Sequence, residues 1–214
     1  SFFKGETALR FLFNSFRFSE NLDFTCVGEK RPLSRYLEKI LPLIEKESGL
    51  TILVKDEKLF EDVGVGYRLV CQPNELIPQP LGLKLDFSFR EKPIEPEVSA
   101  IAVYDYPVSP FPLVAHLSKK EILAEKIRAI LTRKTARDLF DLWFLLKQGT
   151  PLDENLVTEK MKYYPKVEYS QKALRQKIEE FGPEELKKDL NQFLPQSYRN
   201  YYSKIKEEVL ALLE

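Results

Sequence analysis

Between residues 81 and 90 the chain alternates strictly, with Leu83, Leu85, Phe87 and Phe89 on one side of an extended backbone and Lys84, Asp86, Ser88 and Arg90 on the other. Side chains along a strand point to opposite faces, so this run predicts a strand with one core face and one polar face. Residues 22–27 show the same pattern earlier, Leu22 and Phe24 turning inward while Asn21, Asp23 and Thr25 share the opposite side. Short β-rich runs at 50–54, 66–71 and 99–104 are set off by glycine and proline, and together these runs predict a mixed sheet. Asp62-Val63-Gly64-Val65-Gly66 reads as a hairpin turn, because no βαβ unit follows its glycines. Over 31–48 the period becomes helical: Leu33, Leu37, Ile40, Leu41 and Ile44 recur at helix spacing before Gly49, which predicts a helix covering the sheet.

Pro93, Pro96, Pro107, Pro110 and Pro112 bracket the last predicted strand, after which strand signals stop. The boundary is therefore placed at 113–117, dividing an α+β chain into a sheet domain (1–115) and a helical domain (116–214). His116 falls in the expected connection and is read as structural. Ser118 and Glu121 form a helix start, and the helix beyond carries Ile122, Leu123, Ile127, Ile130 and Leu131 in one sector with Lys126 inside it and Arg133 on the same side. A lysine among apolar side chains snorkels or meets an anion. The next helix, 136–146, is apolar almost all round, yet Asp138 projects between Leu142 and Leu145. Arg137, Arg133, Lys126 or a ligand must neutralise it. The simpler account makes Asp138 a capping-box partner of Thr135, and Arg137 with Asp141 an i,i+4 pair. Helices are expected at 152–164, 170–181, 183–193 and 196–213. Tyr198, Tyr201, Tyr202, Ile205, Val209, Leu212 and Leu213 make a stripe read as core, and Lys160 to Lys166 with Tyr163 and Tyr164 a weak basic-aromatic patch.

Composition narrows the function classes. The 214 residues are 43% hydrophobic, and 33 Lys+Arg balance 33 Asp+Glu. A sizeable core is affordable, while no global field favours nucleic acid, so a basic RNA-coating role is excluded. One histidine and the separated Cys26 and Cys71 offer no zinc constellation and fit a reducing, cytoplasmic compartment, although spacing alone leaves a single disulfide open. No apolar run reaches the roughly 20 residues a membrane helix needs. The only methionine is Met161, so residue 1 is not an initiator.

Chemistry concentrates near the start. Gly5 opens a helix whose first N–H groups, at Gly5, Glu6 and Thr7, attract anions such as phosphates. Asn21 and Asp23 then stand together on a strand, and oxygen ligands of this kind suit Mg²⁺ beside a phosphate-bearing substrate. Asp86 lies on the polar face of its own strand, where the plain reading is an ion pair with Lys84 or Arg90.

Lys4-Gly5-Glu6-Thr7-Ala8-Leu9, Arg17-Phe18-Ser19-Glu20-Asn21-Leu22-Asp23-Phe24 and the block 121–146, an Ala-Glu-Lys helix followed by Arg-Asp-x-x-Asp, resemble the AbiEii/AbiGii toxin family of the nucleotidyltransferase superfamily. The resemblance implies a nucleotidyltransferase-fold sheet with a helical domain behind it. It implies Asn21, Asp23 and Asp86 as metal-binding residues, Asp23, Asp86, Lys126 and Asp138 as catalytic ones, and Gly5, Glu6, Thr7, Lys126 and Arg137 as phosphate contacts. Mg²⁺ would be the cofactor, an NTP the substrate, RNA (tRNA ends in some members) the acceptor and an antitoxin the regulator. Two positions depart from the family: Glu6 replaces glycine or serine and sets a negative charge towards phosphate, and Asn21 replaces the first aspartate. Both push towards the alternative, a catalytically degenerate member serving as a binding or interaction module. The family's helical lead-in is also absent, which suggests a trimmed N-terminus.

Overall fold

A computed structural model describes residues 1–28, 33–60, 63–75, 78–101, 112–165 and 167–214. Its elements in order are β1 (Phe2–Lys4), α1 (Gly5–Phe13), β2 (Asn21–Thr25), α2 (Leu33–Ser48), β3 (Ile52–Phe60), β4 (Gly64–Cys71), β5 (Leu81–Ser88), β6 (Pro96–Ala100), β7 (Leu113–Leu117), α3 (Lys119–Thr132), α4 (Ala136–Lys147), α5 (Glu154–Met161), α6 (Gln171–Glu179), α7 (Pro183–Leu190), a 3-10 turn (Gln196–Tyr201) and α8 (Tyr202–Leu212). The strands form one seven-stranded sheet in the order β3-β4-β5-β2-β1-β7-β6. It is mixed, as expected: β2 runs parallel to β5 and β1 to β7, while the remaining pairs are antiparallel.

Local chemistry accounts for the turns that aim the site. Gly5 has φ +74°, a left-handed conformation glycine adopts without strain, and it converts β1 into α1 with no loop between them. Asn14 closes α1 in the same region, φ 60°, its N–H donating to the Leu9 carbonyl, a left-handed C-cap. The hairpin between β3 and β4 closes through the Val63 N–H to the Phe60 carbonyl at 3.0 Å. Gly64 and Gly66, expected in the turn, lie in β4 itself.

Two apolar clusters flank the sheet. Leu41 of α2 packs with Val65, Tyr67, Leu69 and Leu85, with Leu33 and Leu37 alongside. Ile40 and Ile44, expected on that covering face, are instead 46% and 42% exposed, because α2 meets the sheet through its 33-37-41 row alone. The larger cluster joins Phe3, Ala8, Leu9 and Leu117 to α3, α4 and the C-terminal helices in one core, so sheet and helices are not separate bodies of packing.

Several expectations change. Leu113–Leu117 is a strand, not a connection; it pairs with β1 and β6, and that inter-strand pairing leaves no local trace in a short proline-flanked run. His116 is structural as read, fully buried, with Nδ1 2.8 Å from the Leu117 carbonyl and Nε2 2.9 Å from Ser99 Oγ. Lys160 belongs to no exposed patch: it is 0% exposed and ion-paired with Glu91 at 3.2 Å, Glu121 at 2.6 Å and Glu125 at 3.1 Å. The tyrosine stripe is core at Ile205, Val209 and Leu213, while Leu212 faces out. Cys26 and Cys71 are free. Expectations resting on Arg31, Pro32, Asp62, Val103, Tyr104, Pro107, Pro110 and Lys166 fall outside the described residues.

Candidate active site

The parallel pairing of β2 with β5 sets Asn21 opposite Lys84 and Asp23 opposite Asp86. Asp23 and Asp86 therefore stand side by side on the sheet face turned towards α3 and α4. Glycines make room for both carboxylates. A Cβ at Gly5 would lie 2.7 Å from Asp23 Oδ2, and one at Gly66 2.8 Å from Asp86 Oδ1 and 3.0 Å from Phe60 Cε2. Gly66→Ala is thus expected to displace the Asp86 carboxylate, a flexible side-chain end, and to lower any activity of the site about tenfold at a stability cost under about 1 kcal/mol. A denaturation curve beside an activity assay separates the two effects.

The acids are short of positive charge. Burial pushes the Asp23 carboxyl up to about 6, Glu6 and Asp86 add to that rise, and Lys126 and Lys4 oppose it. Asp86 Oδ2 meets half-exposed Lys84 Nζ at 2.6 Å, the ion pair of the plain reading, but its buried Oδ1 has no hydrogen-bond partner. Hard oxygen donors, an orphaned carboxylate oxygen and a carboxyl driven towards protonation fit a divalent cation such as Mg²⁺. The set is two carboxylates with the Asn21 amide; among the described residues no three His, Cys, Asp or Glu side chains gather in a metal-ligand arrangement.

Opposite the acids, Lys126 is buried in α3 as its spacing foretold, with Nζ 3.1 Å from Asp138 Oδ1 and 2.6 Å from Asp141 Oδ2. Burial works against its charge, yet Asp141, Asp138 and Glu6 together raise its pKa above the ordinary lysine range. Arg133 donates to Asp138 from Nε at 2.9 Å and Nη2 at 3.1 Å. Asp138 is therefore no capping-box residue: Thr135 makes no side-chain cap, and the carboxylate serves the lysine and arginine across the helix pair. Burial alone would raise the Asp138 pKa, but Lys126 and Arg133 outweigh it and hold it at about 2, below the ordinary 3.8. A carboxyl depressed on folding contributes stability above its unfolded value and loses it as pH falls through the folded one. Between about pH 4 and pH 2 the protein is expected to lose about 2 kcal/mol from this group. Urea midpoints against pH should show that loss, reduced in Asp138→Asn.

Arg17, which sequence reasoning passed over, ties the site to the core. It is 2% exposed and reaches Asp141 through Nε at 3.1 Å and Nη2 at 2.9 and 3.0 Å. It also donates to the Phe18 carbonyl at 3.1 Å and bonds the Glu6 carboxylate. Arg137 does not pair with Asp141. It lies 3.6 Å from Glu6 and over the Phe193 ring at 4.8 Å. Burial would raise the Glu6 pKa, but Arg17, Lys126 and Arg137 bring it below the ordinary value. The carboxylate expected to repel phosphate is thereby held ionised but counter-charged by three cations. Thr7 is buried and its hydroxyl donates to the Asn21 carbonyl, with Ser19 Oγ at 2.6 Å; that leaves only its backbone N–H for a ligand.

Glu6, Asn21, Asp23, Asp86, Lys126, Arg137 and Asp138 all line one cavity of about 290 Å³, together with Lys84, Arg133 and Thr135. Gly5 borders the acids from below, and Thr7 is set back from the cavity. Four cations around four carboxylates, with no aromatic ring, suit a chain of phosphates. Arg17 and Asp141 had a signal in the sequence, since both stand in the blocks that carry the resemblance. Gly66 had none beyond its being glycine.

A family model described as the nucleotidyl transferase AbiEii toxin of type IV toxin–antitoxin systems matches residues 2–212. No curated protein sequence matches the chain significantly. Among solved structures the fold is similar to that of MenT4, a nucleotidyltransferase toxin from Mycobacterium tuberculosis, with a TM-score of 0.62 and 20% identity over 99% of this chain and 74% of that one. At that identity the likeness bears on the fold.

Proposed function

Because the chain belongs to the AbiEii nucleotidyl transferase toxin family, we propose that it transfers a nucleotidyl group from an NTP to RNA, in a toxin restrained by an antitoxin partner. The pairing of Asp23 with Asp86, enclosed by Gly5 and Gly66 beneath Lys126, carries this reading. Asp23, Asp86 and the Asn21 amide oxygen would hold Mg²⁺, which supplies charge neutralisation for the triphosphate. Lys126, Arg133, Arg137 and Lys84 bind the phosphate oxygens, helped by the N–H groups that open α1. The acceptor hydroxyl oxygen bonds to the α-phosphorus, the bond from that phosphorus to the bridging oxygen breaks, and pyrophosphate leaves. The hydroxyl proton passes to the carboxylate pair. Asp138 and Asp141 keep Lys126 charged and fixed throughout. No helix among the described residues is long and apolar enough to cross a membrane, and the two free cysteines suit a cytoplasmic site of action.

The counter-charging of Glu6 by Arg17, Lys126 and Arg137 favours this reading over a degenerate module, since it weakens one of the two charge objections. The test is incubation with each radiolabelled NTP, Mg²⁺ and total cellular RNA, beside Asp23→Ala and Asn21→Asp. Label in RNA that vanishes in Asp23→Ala supports the transferase. Silence from the parent and from Asn21→Asp, both folded, would replace it with the binding module.

A further inference from the structure

A second cavity, of about 260 Å³, opens on the same acids from the far side, where Tyr164 and Arg128 line it with Lys4 and Ser88. The two cavities share Asp23, Asp86, Lys126, Arg133 and Asp138. Neither alone reaches the roughly 300–1,000 Å³ usual for a small-molecule site, and the first has no ring on which a base can rest. The second has one. The Arg128 guanidinium lies 4.4 Å from the Tyr164 ring centre and that of Arg90 4.9 Å from it. Arg128 is only loosely paired: its contact with Glu91 is long, 3.7 Å, and Glu91 is held at 3.2 Å by Lys160. Glu125, which lines the cavity and feels the Arg128 charge, is bonded by Lys4 at 3.2 Å and Lys160 at 3.1 Å, and the buried Nε of Arg128 has no hydrogen-bond partner. Tyr164 is half-buried and sits in no core cluster, so packing does not explain the arrangement.

We infer that Tyr164 and Arg128, with Arg90 backing the ring from outside the cavity lining, form a nucleotide subsite in which a base stacks on the ring or the Arg128 guanidinium plane and its phosphate meets Arg128. Bases stack on aromatic and guanidinium surfaces in this way when held single-stranded or free. The inference rests on the transferase reading for its placement beside the acids, and the same chemistry serves either the base of the NTP or the terminal nucleotide of the acceptor strand. Its test is calorimetric binding of the four NTPs with Mg²⁺, and separately of a mixed-sequence single-stranded oligoribonucleotide, to the parent, Tyr164→Ala, Tyr164→Phe and Arg128→Gln. Tyr164→Ala is expected to weaken one of the two ligands about tenfold, Tyr164→Phe to retain its binding, and Arg128→Gln to flatten its salt dependence. Loss confined to the NTPs assigns the subsite to the donor; loss confined to the oligonucleotide assigns it to the acceptor. Equal binding of both ligands by folded Tyr164→Ala and the parent, or no binding by the parent, overturns the inference. A parent that binds but transfers nothing, with Asn21→Asp equally silent, would retire the transferase reading and leave the subsite standing, and a transferring parent indifferent to Tyr164 would do the reverse.

Discussion

Arg17→Met is expected to cost about 3–5 kcal/mol of folding stability, the loss that follows when one member of a buried ion pair is removed. The residue has almost no solvent contact, and its departure strands two carboxylates. Asp141 would keep Lys126 at 2.6 Å, and Glu6 would keep Arg137 at 3.6 Å, so the lower half of the range is the more natural expectation. The guanidinium matters as well as the charge: it forks towards Asp141 while also holding Glu6 and the Phe18 carbonyl, and an ammonium cannot reproduce that geometry. Arg17→Lys should therefore recover less than half of the loss. Removing Asp141 as well, Arg17→Met with Asp141→Leu, should be milder than Arg17→Met alone, since only Glu6 is then left short of the guanidinium while Lys126 keeps Asp138 at 3.1 Å. Urea denaturation of the four proteins decides it; a loss under about 1 kcal/mol for Arg17→Met would show that the network does not hold α1 to α4.

Asn21→Asp is expected to raise nucleotidyl transfer roughly a hundredfold, equivalent to about 3 kcal/mol of transition-state stabilisation. An amide oxygen can ligate Mg²⁺, but it brings no charge. The structure adds a condition. Burial, Glu6 and Asp86 already drive Asp23 up to about 6, and a third carboxylate would crowd the same face. Without a divalent cation, Asn21→Asp should melt lower than the parent; with millimolar Mg²⁺ the order should reverse, because a ligand bound to the native state stabilises it by mass action. Thermal melts with Mg²⁺ and with a chelator, read beside label transfer into RNA, test both halves. Unchanged transfer and unchanged metal response would mean that position 21 lies outside the working site.

The elements that could be read from the chain were those whose signal is local. Alternation along residues 81–89 placed Asp86 on the polar face of a strand, and helical spacing placed Lys126 inside an apolar sector that a charge cannot enter unpaired. The same logic required a cation for Asp138, and Lys126 and Arg133 are the groups that serve it. Reasoning failed where a short-range explanation was chemically adequate. Thr135 with Asp138, and Arg137 with Asp141, satisfy capping and i,i+4 rules, yet each carboxylate finds partners on another element. The basic-aromatic segment around Lys160 failed similarly, since nothing local says that three glutamates from 91 to 125 converge on that lysine.

By itself, then, the sequence determined most of the succession of strands and helices, though not β1 or β7, together with the glycine entry into α1, the polar faces of β2 and β5, and the blocks that mark the family. Those properties depend on period, backbone freedom and residue type, which are written within a few positions of one another. Only the tertiary structure decided that β2 lies beside β5 in the register that faces Asp23 with Asp86, that Gly66 on a third strand makes the space for Asp86, and that Arg17 pairs with Glu6 as well as with Asp141. Strand order and ion-pair partners join residues far apart in the chain, and the energy that selects them, the burial of unpaired charge, exists only once the sheet and helices have closed around it.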